Sequence, residues 1–447
     1  MNRQYFGTDG LRGRAGQFPL DPPTVYALGR AAGRILGGKD ARALVAADTR
    51  ESCGWIASHL VAGLRETGVE CQYAGVVPTP AVARLCVEER FTFGAMISAS
   101  HNPYEDNGIK FFSGDGFKLP DDTEHHIETA LDGLLPSLGS SVSSAELGPP
   151  SPDFAWRYLS WLESLWEGGD LSGFKIILDC ANGAAFEIAP TLFRRLGANV
   201  SAFAFEPDGR NINAGCGSLH TDVLAQRVRD EGAHFGFAFD GDADRCLAVT
   251  SAGRVLDGDV ILYRDAQRRV KRGTLWGRWV VGTVMSNLWL EQALQAERLR
   301  FFRAPVGDRY VLQCMVDRGA ILGGEPSGHV LFLDRATTGD GLLTALTYAS
   351  LARDAGSMDA IAEGITPYPQ VLSNIRVGRR LPLQEQPVIQ LALDEETSRL
   401  EGRGRIVLRY SGTEPLLRLM VEAQSADVVN GVIERLGKVL RECLGEG

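Results

Sequence analysis

Residues 96–112 read M-I-S-A-S-H-N-P-Y-E-D-N-G-I-K-F-F. A short apolar strand pattern over Gly94–Ile97 runs into S-A-S-H-N-P, where Asn102-Pro103 stops any regular element. The chain then turns through Asp106-Asn107-Gly108 and resumes an extended apolar run around Lys110. Ser100 is therefore expected on a loop at the end of a strand, with His101 beside it. A serine in a polar loop is ordinarily only a turn residue. It gains weight here because three further loops of unusual chemistry also follow apolar strands.

Working outward, strand and helix patterns alternate. Ala41–Ala47 reads as a strand ending in D-T-R-E-S, and Gly54–Thr67 as an amphipathic helix. Val76-Val77-Pro78-Thr79-Pro80 is a rigid connection to a helix over Ala81–Glu89. Strands separated by helices predict βαβ units and a largely parallel sheet. A Pro-, Gly- and Ser-rich stretch, Pro136–Pro152, reads as a linker. Beyond it come a helix near Phe154–Trp166, a strand Phe174–Cys180 and a strand His234–Phe239 ending in D-G-D-A-D-R. Strands at Trp279–Met285, Phe301–Val306 and Ala320–Gly323 follow, the last leading into G-E-P-S-G-H. The final unit holds strands Ile406–Tyr410 and Leu417–Glu422 around S-G-T-E-P, and a helix from Asp427. The class expected is α/β: three consecutive mixed α/β-sheet domains over 1–150, 151–253 and 254–366, plus a smaller C-terminal α+β domain over 367–447, around a central cleft.

At 447 residues the chain exceeds what one core usually accommodates. Hydrophobic residues at 44% and charged residues at 23% are ordinary for a globular enzyme and exclude wholesale disorder. A net charge of −10 argues against nucleic acid as bulk partner and against a basic membrane-binding face. Eight scattered cysteines with no C-x-x-C pair read as free thiols in a reducing cytosol. The start, M-N-R-Q-Y-F-G-T-D-G, carries no apolar signal segment, and no apolar run is long enough to span a bilayer, so a cytoplasmic protein is expected.

The most specific loop is D-G-D-A-D-R, where Asp240, Asp242 and Asp244 offer hard carboxylate oxygens suited to Mg²⁺ or Ca²⁺. An EF-hand fails because Arg245 stands where Gly is required and Ser251 where Glu is required. A solvated acidic turn is the plain alternative, but three crowded carboxylates repel one another unless a cation sits among them. On a loop, the cluster is expected outside any core. In R-Y-S-G-T-E-P-L-L-R, Arg409, Ser411, Gly412, Thr413 and Arg418 combine small residues, hydroxyls and guanidinium groups into a candidate phosphate cradle, with a strand-joining turn as the alternative. Glu325, Ser327 and His329 suit hydrogen bonding to sugar hydroxyls. The N-terminal G-T-D-G-L-R-G-R loop holds Arg12 and Arg14 for an anion. No P-loop, G-x-S-x-G elbow or complete G-x-G-x-x-G occurs.

Taken together, F-G-T-D-G-L-R-G, S-A-S-H-N-P, D-G-D-A-D-R, G-E-P-S-G-H and R-Y-S-G-T-E-P resemble the α-D-phosphohexomutase superfamily, in its order and over nearly the whole chain. Within it, P-D-G-R-N-I-N-A-G-C-G-S-L-H (207–220), P-V-G-D-R-Y (305–310) and T-T-G-D-G (337–341) resemble the bacterial phosphoglucosamine mutase branch. Pro326 stands where hexose-specific relatives usually have Met, and Leu11 where Ile is more usual.

The resemblance implies an isomerase that interconverts glucosamine 6-phosphate and glucosamine 1-phosphate through a 1,6-bisphosphate, feeding UDP-N-acetylglucosamine and cell-wall precursor synthesis. Ser100 would be a phosphoserine. One Mg²⁺ per chain would be held by Asp240, Asp242, Asp244 and an oxygen of phosphorylated Ser100, with a hexose 1,6-bisphosphate such as glucosamine 1,6-bisphosphate as activator. Lys110 and His101 are the candidate general acid and base, Lys110 the stronger, with His329 as an alternative from the sugar loop, and Arg12 supplies charge. Arg245, Arg309, Glu325, Ser327, His329 and the C-terminal cradle would bind substrate. The partner expected is a small sugar phosphate, with no nucleic acid and no membrane. A homodimer remains an open assembly. A phosphomannomutase/phosphoglucomutase is the near alternative, and a non-catalytic sugar-phosphate-binding protein the distant one.

Overall fold

The computed structural model describes residues 5–7, 9–137, 139, 142–410 and 416–445. They form two compact units, Met1–Thr283 with Phe302–Glu363, and Val284–Phe301 with Gly364–Gly447.

The larger unit carries three sheets. The first has six strands: β1 (Phe6–Gly7), β2 (Gly10–Arg14), β3 (Arg42–Ala47), β4 (Glu70–Val76), β5 (Phe93–Ile97) and β6 (Asp106–Ser113), in the order β1-β2-β6-β5-β3-β4. Only β5-β3-β4 is parallel; β6 pairs antiparallel with both β5 and β2. The sheet is thus mixed where the alternation of strands and helices suggested mainly parallel pairing. The reason is the connection after β5. Parallel neighbours need a crossover of a dozen or more residues, and the loop between Ile97 and Asp106 is too short for one.

The second sheet repeats this plan. Its strands are β7 (Lys175–Asp179), β8 (Asn199–Phe203), β9 (Phe235–Phe239), β10 (Cys246–Thr250) and β11 (Val255–Leu256), ordered β11-β10-β9-β7-β8. Strands β8, β7 and β9 are parallel, and β10 turns back antiparallel to β9. In the third sheet β12 (Trp279–Thr283), β13 (Arg300–Ala304), β14 (Leu322–Gly324) and β15 (Val330–Phe332) run in the order β13-β12-β14-β15. Here β14 is parallel to β12, and β15 antiparallel to β14. Each sheet therefore ends its parallel run in a short return, and each return is one of the loops singled out above.

Continuous apolar strands make the sheets cores. All five residues of β5 and of β9 are buried, as strands covered on both faces require. Phe235, Phe237 and Phe239 are fully buried, each worth roughly 1.5–3 kcal/mol in burial. Helices Pro22–Leu36 and Cys53–Glu66 cross at Gly29 and Gly63. A Cβ added at Gly29 would meet Gly63 Cα at 3.1 Å, so glycine is what lets the two backbones touch. Asp21 caps the first of these helices, its side chain accepting from Thr24 N.

The smaller unit is an antiparallel sheet, β16 (Gln370–Arg376), β17 (Gly404–Tyr410) and β18 (Leu416–Ala423), ordered β16-β18-β17. Helices Pro387–Leu400 and Ala426–Leu444 share a core with Leu417, Leu419 and Val421. No helix among the described residues is long and apolar enough to cross a membrane, and all eight cysteines are free.

Candidate active site

Ser100 lies in the β5–β6 return with φ +53°, a left-handed conformation uncommon for a residue with a side chain. It is fully buried, and its Oγ donates to Asp240 Oδ2 at 2.6 Å. His101 Nδ1 lies 3.4 Å from the same hydroxyl. Asp240 begins the β9–β10 return, which also carries Asp242 and Asp244. Their ligand atoms lie within 4.8 Å of one another, and all three residues are buried. The expectation that a loop would leave this cluster outside the core is corrected. The return folds inward beneath Ser100, and Asp240 and Asp242 have no exposure.

Two cations and a hydroxyl reach the cluster from β6, from the third sheet and from the V-V-P-T-P connection. Lys110 Nζ, on β6, lies 2.8 Å from Asp242 Oδ2 and 3.8 Å from Asp244 Oδ2. Thr79 Oγ1 donates to Asp242 Oδ2 at 2.6 Å. His329 Nδ1 approaches Asp244 Oδ2 at 3.5 Å. Asp242 Oδ1 and Asp244 Oδ1 remain buried with no hydrogen-bond partner. Buried carboxylate oxygens without partners are costly unless a cation completes them. Three hard oxygen donors with two orphaned atoms fit a divalent cation.

The protonation pattern agrees. Burial, then the charges of Asp244 and Asp242, push Asp240 well above the usual carboxylate range. For Asp244 burial acts in the same sense, but His329, Lys110 and Arg245 outweigh it and hold the carboxyl below that range. Burial and then the neighbouring Arg245 and Arg12 lower His101 to about 4, so it is neutral at pH 7. Burial also opposes charge on His329, yet Asp244 and Asp308 raise it to about 9.

Other groups extend this centre. Lys110 Nζ is also 2.8 Å from Asp9 Oδ2, and Arg12 pairs with Asp9. Lys118 bridges Asp9 Oδ1 at 2.5 Å and Asp308, whose Oδ2 stands 3.6 Å from His329 Nε2. Positive and negative groups thus alternate from Arg12 through Asp9, Lys118, Asp308 and His329 to Asp244. Glu325, in the β14–β15 return, accepts from Gly307 N at 3.0 Å, and Ser327 Oγ is buried without a partner. Arg245 Nε lies 3.7 Å from Asp244 Oδ1 and 4.0 Å from Asp240 Oδ2.

Three of the four loops therefore meet in the larger unit. Arg309 is engaged elsewhere, with Asp121 and, at 2.8 and 2.6 Å, with Glu124 of helix Asp121–Leu134. In the smaller unit Arg409 and Arg418 stand directly opposite each other on β17 and β18. Ser411, Gly412 and Thr413 fall outside the described residues. Asp9, Thr79, Lys118 and Asp308 carry no role in the sequence reading. Asp9 and Asp308 lie within quoted motifs (F-G-T-D-G and P-V-G-D-R-Y), so position alone pointed to them; Lys118 left no such mark.

Four models of the phosphoglucomutase/phosphomannomutase family match the chain: α/β/α domain I over residues 3–134, domain II over 158–253, domain III over 257–368 and the C-terminal domain over 372–438. A phosphoglucosamine mutase of Solibacter usitatus is 45% identical over 450 residues, covering 100% of both chains. The same fold occurs in a crystal structure of a phosphoglucomutase/phosphomannomutase family protein from Burkholderia thailandensis, with TM-score 0.80, 23% identity and 98% of each chain covered. It occurs too in an Aspergillus fumigatus N-acetylphosphoglucosamine mutase solved with GlcNAc-6P and magnesium, with TM-score 0.65, 17% identity, and 99% of this chain and 96% of that one covered. With domain matches in this order and such identity along its whole length, the chain belongs to the phosphoglucosamine mutase family of phosphohexomutases.

Proposed function

We propose that the protein is an isomerase converting glucosamine 6-phosphate to glucosamine 1-phosphate and back, with Ser100 as phosphoryl carrier. The observation that carries this reading is the Ser100 hydroxyl on Asp240 Oδ2, at the edge of a carboxylate triad with two orphaned oxygens. In the forward direction the phosphoryl group leaves phosphorylated Ser100 for the C1 hydroxyl of glucosamine 6-phosphate, whose proton passes to a base. That proton goes on to the departing Ser100 Oγ. The resulting 1,6-bisphosphate turns around, its 6-phosphoryl group returns to Ser100 Oγ, the serine proton passes to the C6 oxygen left behind, and glucosamine 1-phosphate is released. An added hexose 1,6-bisphosphate would serve to phosphorylate Ser100 and so activate the enzyme.

Phosphoryl transfer calls for positioning and charge stabilisation more than covalent chemistry. Asp240, Asp242 and Asp244 would hold the Mg²⁺, which when bound neutralises charge on the transferring phosphoryl group. Lys110, held by Asp9 and Asp242, keeps an ammonium beside Ser100's carboxylate neighbours. His101, neutral and 3.4 Å from Ser100 Oγ, suits proton acceptance better than Lys110, which the flanking carboxylates keep charged after burial has opposed it. Glu325 and Ser327 suit the amine and hydroxyls of the sugar. Arg409 and Arg418, like charges directly across a strand pair, suit the phosphate that does not react. Domains I to III would then be the Ser100, metal and sugar domains, with residues 367–447 the phosphate domain. Eight free cysteines favour the cytoplasm. The hexose alternative has less support, since relatives 45% identical over 98–100% of this chain carry the name phosphoglucosamine mutase.

Steady-state kinetics on glucosamine, glucose and mannose 6-phosphates tests the reading. Glucosamine 6-phosphate should lead by about tenfold to a few hundredfold in kcat/KM, the worth of one charge-assisted contact to the amine. A lead for glucose or mannose 6-phosphate would move the protein to the hexose branch. Ser100→Ala should lose about 10³-fold or more in kcat. Arg418→Ala should lose about 1.5–3 kcal/mol of substrate binding, read as KM.

A further inference from the structure

The stretch 207–220 has no place in the chemistry above, although its residues are among those that mark this branch. The structure gives it one. Glu51 N donates to Gly209 O at 2.9 Å and Arg210 Nε to Glu51 Oε2 at 2.7 Å, tying the stretch to the D-T-R-E-S turn after β3. Asn213 then reaches the Ser100 loop. Its Nδ2 donates to Ser100 O at 2.9 Å and to Asn102 O at 3.1 Å. From the D-T-R-E-S turn, Arg50 Nη2 donates to the same two carbonyls, at 3.1 and 2.6 Å.

The other side of Ser100 is held with equal care. Ser100 N donates to Ser98 Oγ at 2.9 Å, and Ser98 Oγ to Asp48 Oδ2 at 2.6 Å. Asp48 is the ion-pair partner of Arg50, and both side chains have no exposure. One buried ion pair therefore fixes the amide of Ser100 through Ser98 and its carbonyl directly. Asn213 supplies the second carbonyl donor from a different sheet. A non-glycine residue at φ +53° costs about 1–2 kcal/mol and persists only where its surroundings over-determine it.

We infer that Arg50 and Asn213 are positioning residues for Ser100, clamping the carbonyls of Ser100 and Asn102 so that Oγ keeps its place beside the Asp240–Asp244 return with the phosphoryl group absent or bound. This rests on the reading of Ser100 as phosphoryl carrier. Neither residue touches the hydroxyl, so their effect is on geometry. An ångström of misplacement at a transferring group costs about 10²-fold in rate. Buried Arg50 also needs its partner Asp48, which makes the pair a unit whose halves do not work separately.

Asn213 itself has φ +58°, so Asn213→Gly removes the amide donor and keeps a residue that tolerates the backbone. Kinetics on glucosamine 6-phosphate, calorimetric Tm and Ser100→Ala as a control form the test. Asn213→Gly should lower kcat by about 10- to 100-fold, with KM within about twofold and Tm nearly unchanged. Arg50→Lys keeps the charge opposite Asp48 but forfeits the planar fork, and should lower kcat at least as far. Should Asn213→Gly fail to fold, Arg50→Lys carries the same test. Unchanged kcat in the folded variant, or a raised KM with kcat intact, overturns the inference while an inactive Ser100→Ala keeps the carrier reading. Full activity in Ser100→Ala overturns the reading itself.

Discussion

The larger unit buries the Asp240–Asp244 triad and, elsewhere, the lone aspartate Asp265, and the two are built on opposite terms. On helix Gly258–Arg272, Asp265 has no exposure, and both its oxygens are met by guanidinium groups. Arg268 Nη2 lies 2.6 Å from Oδ1 and Arg269 Nε 2.5 Å from Oδ2. Arg269 continues to Asp334 at 2.8 Å. Burial alone would raise the Asp265 pKa, but Arg269 and Arg268 bring it below the ordinary value. The Asp240–Asp244 return has as much burial, more negative charge, and two oxygens with no hydrogen-bond partner, Asp244 Oδ1 having only the more distant Arg245 Nε at 3.7 Å. A structural ion cluster completes itself from its own chain. A buried carboxylate cluster whose oxygens stay incomplete fits something brought from outside.

The comparison can be broken in graded ways. Full chelation should reduce mutase activity by about 10³-fold or more, with Mg²⁺ restoring it, if the proposed cation completes the Asp240–Asp244 cluster and not the Asp265 pair. Activity that survives excess chelator would erase the distinction. Asp265→Asn should cost about 3–5 kcal/mol in urea unfolding, since it leaves buried arginines short of their counter-charge, and should spare kcat in the folded fraction. Asp240→Asn should act in the opposite sense. In chelator it should raise stability, because it removes the charge that burial and two neighbouring carboxylates disfavour. A matching loss in both variants would show the two clusters to be alike.

The finest distinction is in pH. Asp240 has a raised folded pKa, so between about 4 and that value the folded state binds more protons than the unfolded. Its contribution therefore makes metal-free stability fall as pH rises through that window. Asp265 has a lowered folded pKa. Its stabilisation is present above the unfolded value near 4 and is lost as pH falls below it. Denaturation across pH 3–8 in chelator should show that Asp240→Asn removes the high-side decline and Asp265→Asn the low-side loss. Saturating Mg²⁺ should abolish the first effect and leave the second.

What could be read from the sequence follows the distance over which each feature is encoded. Ser100, the three aspartates and the E-P-S-G-H loop sit in contiguous motifs, and the apolar strands before them mark their places. The alternating charges could not be read in the same way. Lys118 is separated from Asp308 by 190 positions, and nothing local in F-K-L distinguishes a bridging lysine from a surface one. Arg50 looked like part of a turn because, apart from Asp48 two positions away, its acceptors are carbonyls, and a carbonyl carries no residue identity. The mixed class was expected, but where the first sheet turns antiparallel was obscured for a related reason. Helical crossovers announce parallel strands, but the return from β5 to β6 announces itself only by brevity. For Asp240–Asp244 the loop position was legible and the depth was not, since burial there is set by Ser100 and Lys110 closing over it.

The left-handed backbone at Ser100 also bears on which hydroxyl amino acid could fill the proposed carrier role. Threonine offers the same oxygen and accepts a phosphoryl group by the same chemistry. Its second branch at Cβ, however, makes a positive φ a genuine outlier, where serine is merely uncommon. A chain bearing threonine here would have to relax toward negative φ, pulling its carbonyl from Arg50 and Asn213 and swinging the oxygen off Asp240. On the proposed reading, the preference for serine over threonine as nucleophile is thus written in the main chain. Selection among chemically equivalent alcohols falls to a torsion angle, and the two codons' products part company there.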